Sequence, residues 1–489
     1  MPKVSSAARK SDRANPEPVA VAAPALPPDI AVTEPPQTYE AAKKFLASRI
    51  NYERMSPTRL PREAFGLDRT RALLEALGNP QRDVRCVHIA GSKGKGSVAE
   101  MTAACLAACG NATGLFTSPH LMDLRERIRI NDEPISPHAF TGALARCAVA
   151  EAKVRPAHGD ATYFELLTAA ALVYFAEKAV DIAVMEVGLG GRLDSTNVID
   201  PEVTAVTAIQ LEHVQVLGDT LEKIAREKAG IFKPGVTALT IPQTPGVMAV
   251  FREVAQQVGA PLEVVGEDIE FSYRVAATHD RSPHVRVCIT TPRSAYEHLP
   301  VPLIGEHQAH NCGLALAIVD KLRDRGFDAP EKSVAAGLAK TNTQGRMEMV
   351  CHSPRIVIDG AHTADSVHAL MRSIGQHVKY DSMVVIFGCA EDKDAKGMLA
   401  KLATGADKII FTKAAGNPRA MDPRELARRF AEVSHKMTQV TRSLPDALAL
   451  AEKAVGRDDL ICVTGSFYVA GEAKRILLER RGGAVPGRA

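Results

Sequence analysis

The feature that most constrains this chain is an alternation of short, β-branched apolar runs with helix-length segments, carried through two separate stretches. In the first stretch, residues 87–90, 114–117, 181–187 and 203–209 read as buried strands, with helices over 99–109 and 164–176. In the second, 356–359, 383–387, 408–412 and 460–464 repeat the pattern. Strands apolar on both faces and separated by helices require a mostly parallel sheet covered on both sides. The fold class is therefore α/β, and 489 residues are too many for one hydrophobic core. Between the two series, 265–303 alternates polar and apolar residues (Val285, Val287, Ile289), which predicts a small antiparallel patch. Residues 1–37 are rich in Ala and Pro and cannot bury enough surface to offset their ordering entropy, so a disordered tail is expected there. The remaining boundaries fall at 38–343 for the first domain, 344–482 for the second and 483–489 for a frayed tail.

Composition removes several function classes. Sixty basic and 57 acidic residues leave a net charge of +3, which gives no electrostatic case for a nucleic-acid or membrane partner. The absence of Trp and the 4% aromatic content argue against a stacking-based single-strand binder. No apolar run approaches the roughly 20 residues that span a bilayer. Nine cysteines without a CxxC pair, set in apolar stretches, fit buried thiols in a reducing, cytoplasmic setting.

The strongest local signal is Gly91-Ser92-Lys93-Gly94-Lys95-Gly96-Ser97. It lies between a strand and a helix expected to begin near Val98. Glycines let a turn wrap around a phosphate chain with its amides pointing inward, and the helix N-terminus adds partial positive charge. Lys95 would reach the terminal phosphates and the Ser97 hydroxyl would sit on Mg²⁺. A cluster of Gly, Lys and Ser can also be a plain flexible loop, and the spacing departs from GxxxxGK[ST]. Its strand-to-helix position favours phosphate. The strand 181–187 carries Glu186 at its C-terminal end, where α/β ligands bind and carboxylates hold Mg²⁺. His213 follows the next strand and is a second metal-ligand candidate. Lys228, in the helical 226–231 segment, reads as a surface amine or as a group lining the site.

Taken in order, 91–97, 117–121, 186–197, 226–231, His307-Gln308-x-x-Asn311, Gly345-Arg346, 359–362 and Gly465-Ser466-Phe467 resemble the folylpolyglutamate synthase/dihydrofolate synthase branch of the Mur ligase superfamily. The resemblance implies a P-loop ATPase domain of the Mur ligase type, with a mostly parallel sheet, followed by a C-terminal Rossmann-like domain. It implies ATP bound by Gly91, Ser92, Lys93, Gly94, Lys95, Gly96 and Ser97 with Asn311, Arg346, Asp359 and His362. It further implies two Mg²⁺ ions on Ser97, Ser118, Glu186, His213 and a carbamylated Lys228. Substrate would meet Ser118, Pro119, His120, Phe164, Asp194, Thr196 and Asn197, and catalysis would rest on Lys95, Lys228, His213 and Glu186. The implied reaction joins a pteroate or folate carboxylate to glutamate through an acyl phosphate, in a monomer. It leaves open dihydrofolate synthesis, polyglutamate extension or both. Three departures from the family pattern stand out: Lys93, Glu212 in place of Asp, and Thr363 in place of Asn. They keep two other readings in view, a Mur-type ligase for another acid and amino acid, and a nucleotide-binding homologue without catalysis.

Overall fold

The structure, a computed structural model, describes residues 34–55, 66–278, 281–342 and 344–482. Most of the expected N-terminal tail, the 483–489 tail and Thr343 at the expected domain boundary lie outside the described residues.

Eight strands form the first sheet: β1 (Cys86–Ala90), β2 (Thr113–Phe116), β3 (Ile128–Ile130), β4 (Glu133–Pro134), β5 (Ile182–Glu186), β6 (Pro201–Val206), β7 (Thr237–Thr240) and β8 (Leu262–Val264). Their order is β4-β3-β2-β5-β1-β6-β7-β8. The six strands from β2 to β8 run parallel, and β3 and β4 extend one edge antiparallel. Every residue of β1 and β5 is buried, as their continuous apolar runs demand. From β1 the chain moves to one side of the sheet, to β2 and β5, and then to the other, to β6. The C-terminal end of β1 is thus a topological switch point, where the loops after β1, β5 and β6 emerge side by side.

The helix Lys95–Ala108 begins three residues earlier than expected, behind Gly94 in a left-handed conformation (φ 96°). Gly96 and Ser97 therefore belong to its first turn. β6 ends at Val206, short of the expected 209. The residues beyond it turn toward β1, where the Ala208 carbonyl accepts the Ser92 and Lys93 amides at 2.9 and 3.2 Å. The helix Tyr163–Glu177 opens with a capping box in which Thr162 and Glu165 exchange hydrogen bonds.

The antiparallel patch is a three-stranded sheet of β9 (Glu270–Thr278), β10 (Arg281–Thr290) and β11 (Ala295–Pro300). The second α/β series forms a six-stranded sheet ordered β12-β13-β17-β14-β15-β16. Its strands are β12 (Glu348–His352), β13 (Arg355–Ile358), β14 (Met383–Phe387), β15 (Lys408–Phe411), β16 (Met437–Val440) and β17 (Leu460–Thr464). Only the β12–β13 pair is antiparallel.

Candidate active site

The phosphate turn is built so tightly that side chains cannot replace its glycines. A Cβ on Gly91 (φ 141°) would lie 1.8 Å from the Thr207 hydroxyl. One on Gly94 would lie 2.4 Å from Asn311 Oδ1, and one on Gly96 would lie 2.3 Å from Arg346 Nη2 and 3.5 Å from both Glu186 oxygens. The first turn of the Lys95–Ala108 helix therefore sits directly beneath Arg346, from the second α/β series, and beside Glu186. Two ammonium groups converge on the Gly91 carbonyl, Lys95 Nζ and Lys228 Nζ, each at 2.9 Å.

Lys228 is on the buried face of the helix Leu221–Ala229 and is 2% exposed. Its Nζ also donates to Glu212 Oε1 at 2.9 Å. Burial pulls the Lys228 amine down to about 8, against the pull of Glu212. Burial would raise the Glu212 carboxyl, but Lys228, Lys95 and Lys93 together outweigh it and hold it near 2. Lys93 Nζ stands 4.0 Å from Glu212 Oε2, so two of the departures from the family pattern neutralise each other. The third, Thr363, is the N-cap of the helix Ala364–His377 and accepts the Ser366 amide, a role threonine fills well. Glu186 is buried, which raises its carboxyl, while Lys95, the Ser118 amide (3.0 Å to Oε2) and Arg346 oppose the rise. Burial brings His213 down to about 4, which leaves its imidazole neutral at pH 7.

These groups face one cavity of about 420 Å³. Ser92, Lys93, Gly94, Lys95, Gly96, Ser97, Ser118, Pro119, Phe164, Glu186, Asp194 and His213 line it from the first series, and Arg346 and His362 from the second. Other sequence candidates stand behind the wall. Asn311 supports Gly94 and bonds Gln308. The Asp359 carboxylate accepts the Met347 and Ala361 amides at 2.9 and 2.8 Å, shaping the two loops that present Arg346 and His362, and burial lifts its pKa to about 6. His120 Nδ1 accepts from Arg127 Nε at 2.8 Å. Thr196 and Asn197, expected to touch substrate, are buried and do not line the cavity: Thr196 bonds Asp194 and His88, and the Asn197 amide donates to the Arg192 and Gly230 carbonyls. Asp194 forms part of the wall, yet its carboxylate is occupied by the Leu189 and Thr196 amides. Lys228 likewise acts from beneath the turn.

Sequence reasoning missed Tyr52, Glu53, Glu165, Asp392, Lys393, Asn417, Arg419 and Tyr468, all of which line the cavity. Asp392, Lys393, Asn417 and Arg419 follow the C-terminal ends of β14 and β15. The strand-end rule that picked out Glu186 would have found them.

Among the described residues, no three of His, Cys, Asp and Glu converge into a metal cage. Mg²⁺ does not need one, since it keeps several waters and takes one or two carboxylates beside substrate phosphate. Glu186, poised over the helix turn that carries Ser97, fits that requirement. Lys228 binds its neighbours as an amine. A carbamate in its place would set a second anion against Glu212 and call for a cation between them.

The Mur ligase middle domain matches residues 89–319, and the Mur ligase glutamate ligase domain matches 345–467. Over 84% of its length the chain is 32% identical to the dihydrofolate synthase/folylpolyglutamate synthase of Bacillus subtilis, covering 95% of that protein. The chain belongs to the folylpolyglutamate synthase/dihydrofolate synthase family. A Halobacterium salinarum family member, a probable bifunctional folylpolyglutamate synthase/dihydropteroate synthase, is 36% identical over 84% of the chain, which spans only 49% of that relative. In three dimensions the family likeness extends to Mycobacterium tuberculosis folylpolyglutamate synthase, solved with ADP and AMPPCP. The TM-score is 0.79 at 32% identity, over 90% of this chain and 99% of that one.

Proposed function

We propose that the chain is an ATP-dependent ligase that joins the carboxylate of a pteroate or folate acid to the amine of L-glutamate, as a dihydrofolate synthase and/or folylpolyglutamate synthase acting as a monomer. The observation that carries this reading is that the phosphate turn, Glu186 and Arg346 face one cavity built from both α/β series. A carboxylate is a poor electrophile, so it is first phosphorylated by the γ-phosphoryl group of ATP. The amine of glutamate then attacks the acyl carbon, and phosphate leaves carrying one of the original carboxylate oxygens.

In this scheme the amides of 94–97 and Lys95 hold the β- and γ-phosphates and balance the charge of the transferring group. Arg346 adds a second cation from the opposite domain. Ser97, Ser118 and Glu186 would hold one Mg²⁺, and His213, with Lys228 if carbamylated, would hold another; bound there, Mg²⁺ would supply charge neutralisation of the phosphates and developing oxyanion. The neutral imidazole of His213 suits it as a ligand. Pro119, Phe164 and Tyr52 offer the acid an apolar wall. Enclosure by two domains excludes water from the acyl phosphate. Purified protein is expected to release phosphate from ATP only when both a pteroate or folate acid and glutamate are present. Equal release without either would overturn the reading.

A further inference from the structure

The Arg419 guanidinium joins the two α/β series on the cavity wall, beside a longer contact from Arg54 Nη2 to the Gly416 carbonyl at 3.5 Å. Arg419 Nη2 donates to the Glu53 carbonyl at 2.8 Å, and Nη1 donates to the Met55 carbonyl at 3.3 Å and to Asp392 Oδ1 at 2.9 Å. Both carbonyls belong to the single 3-10 turn Tyr52–Arg54 and its C-cap. The loop that carries Arg419 is fixed: its amide donates to Asn417 Oδ1, its carbonyl accepts from Glu391, and Ala420 bridges Ala390. From the other side, the Glu53 carboxylate receives both Nη atoms of the buried Arg127 at 2.7 Å. Arg127 in turn donates to His120, two residues beyond Ser118. The turn is thus gripped by its side chain from the first domain and by its backbone from the second. Tyr52, Glu53 and Met55 all line the cavity.

We propose that Arg419 is a positioning residue that holds the turn Tyr52–Arg54 as the acid-binding wall, so that the carboxylic acid substrate meets a complete pocket only while the second domain is docked. This rests on the ligase reading. The turn connects through Arg127 to the 118–120 segment, whereas the phosphate side of the cavity is built by 92–97, Arg346 and His362. Arg419 therefore acts on the acid and not on ATP. Two neutral carbonyls and one carboxylate in a fixed fan suit a planar guanidinium; a lysine ammonium reaches such a set at one point only.

The test compares wild-type protein with Arg419→Lys and Arg419→Gln, after thermal melts show that each is folded. Amide hydrogen exchange is read at Arg54 and Met55, whose N–H groups bond Asn51 and Tyr52 within the turn. Steady-state KM is read for the acid, ATP and glutamate. In Arg419→Gln, exchange at 54–55 should quicken by about tenfold and KM for the acid should rise by about tenfold, with kcat and KM for ATP within about twofold, the pattern of lost uniform binding. Arg419→Lys should fall between. Unchanged exchange, an equal rise in all three KM values, or a rise confined to glutamate would each overturn the proposal. Wild-type protein that ligates no pteroate or folate acid would sink the ligase reading and, with it, the role in acid binding. The exchange data separate that failure from a failure of Arg419 to hold the turn.

Discussion

Two glycine-bearing turns leave adjacent strand ends, line the same cavity and use their polar groups differently. The turn after β1 sends Ser92, Lys93, Lys95 and Ser97 to the cavity, while its backbone is held from behind by Ala208, Asn311 and Thr207. The loop after β5 spends its polar groups on itself: Asp194 accepts the Leu189 and Thr196 amides, and Asn197 ties the loop to Gly230. It is pinned to β1 through Thr196 and His88 at 2.8 Å. Both carry motif residues of the family. One presents a helix N-terminus and the Lys95 ammonium, which spends a single N–H on the Gly91 carbonyl, to a ligand, and the other sets the position of the wall. Membership of a motif therefore does not imply contact with substrate; the hydrogen-bond ledger of each side chain decides it.

This contrast can be broken by substitution. The largest effect is expected for Lys95→Ala, which removes a phosphate-facing cation. Turnover of ATP with both substrates should fall by at least about a hundredfold, with the melting temperature nearly unchanged. A variant that melts early, or keeps full activity, would show that the first turn is structural too. Asp194→Ala should do the reverse. It leaves buried amides without an acceptor and should cost about 2–3 kcal/mol in urea denaturation, with activity per folded molecule reduced far less than in Lys95→Ala.

A pH titration sharpens the same contrast. Asp194 accepts the Thr196 hydroxyl proton, so the Thr196 oxygen accepts from His88 Nε2–H, and Nδ1 is left buried without a partner. Burial accordingly holds the folded pKa of His88 near 3. Because this pKa lies below the ordinary histidine value, the unfolded chain binds the extra proton. Stability is then full above pH ~6.5 and falls with acid toward the folded pKa. Between pH 6.5 and 5 the His88 share of that loss is expected to be about 1.6 kcal/mol. Urea denaturation at both pH values, with His88→Leu as comparison, checks it: the variant should show a flatter pH dependence. The smallest effect is expected for the Lys93–Glu212 pair. At 4.0 Å and partly exposed, it should show a coupling below about 1 kcal/mol in a double-mutant cycle of Lys93→Asn and Glu212→Asp.

The legible parts of the molecule were those with a local cause. The runs 383–387 and 460–464 were recognisable as strands because both faces of each are buried. Glu186 was recognisable because a carboxylate at the end of such a strand has few structural reasons to be there. The start of the phosphate-loop helix was misread by three residues because a glycine at 96 argues against helix, whereas its missing Cβ is what lets Arg346 and Glu186 approach. Arg419 carried no signal beyond its place after a strand end. Its acceptors are backbone carbonyls more than 360 residues away, which no spacing encodes. Asp359 and Thr196 were legible as motif members only; their partners are amides and hydroxyls fixed by the fold.

The most direct test of ligation at a shared cavity follows oxygen. Acid substrate labelled with ¹⁸O in its carboxylate is incubated with ATP, glutamate and the protein, and the released phosphate is analysed by mass spectrometry. Activation of the carboxylate by the γ-phosphoryl group predicts transfer of one labelled oxygen to each phosphate. Amide product accompanied by unlabelled phosphate would contradict it.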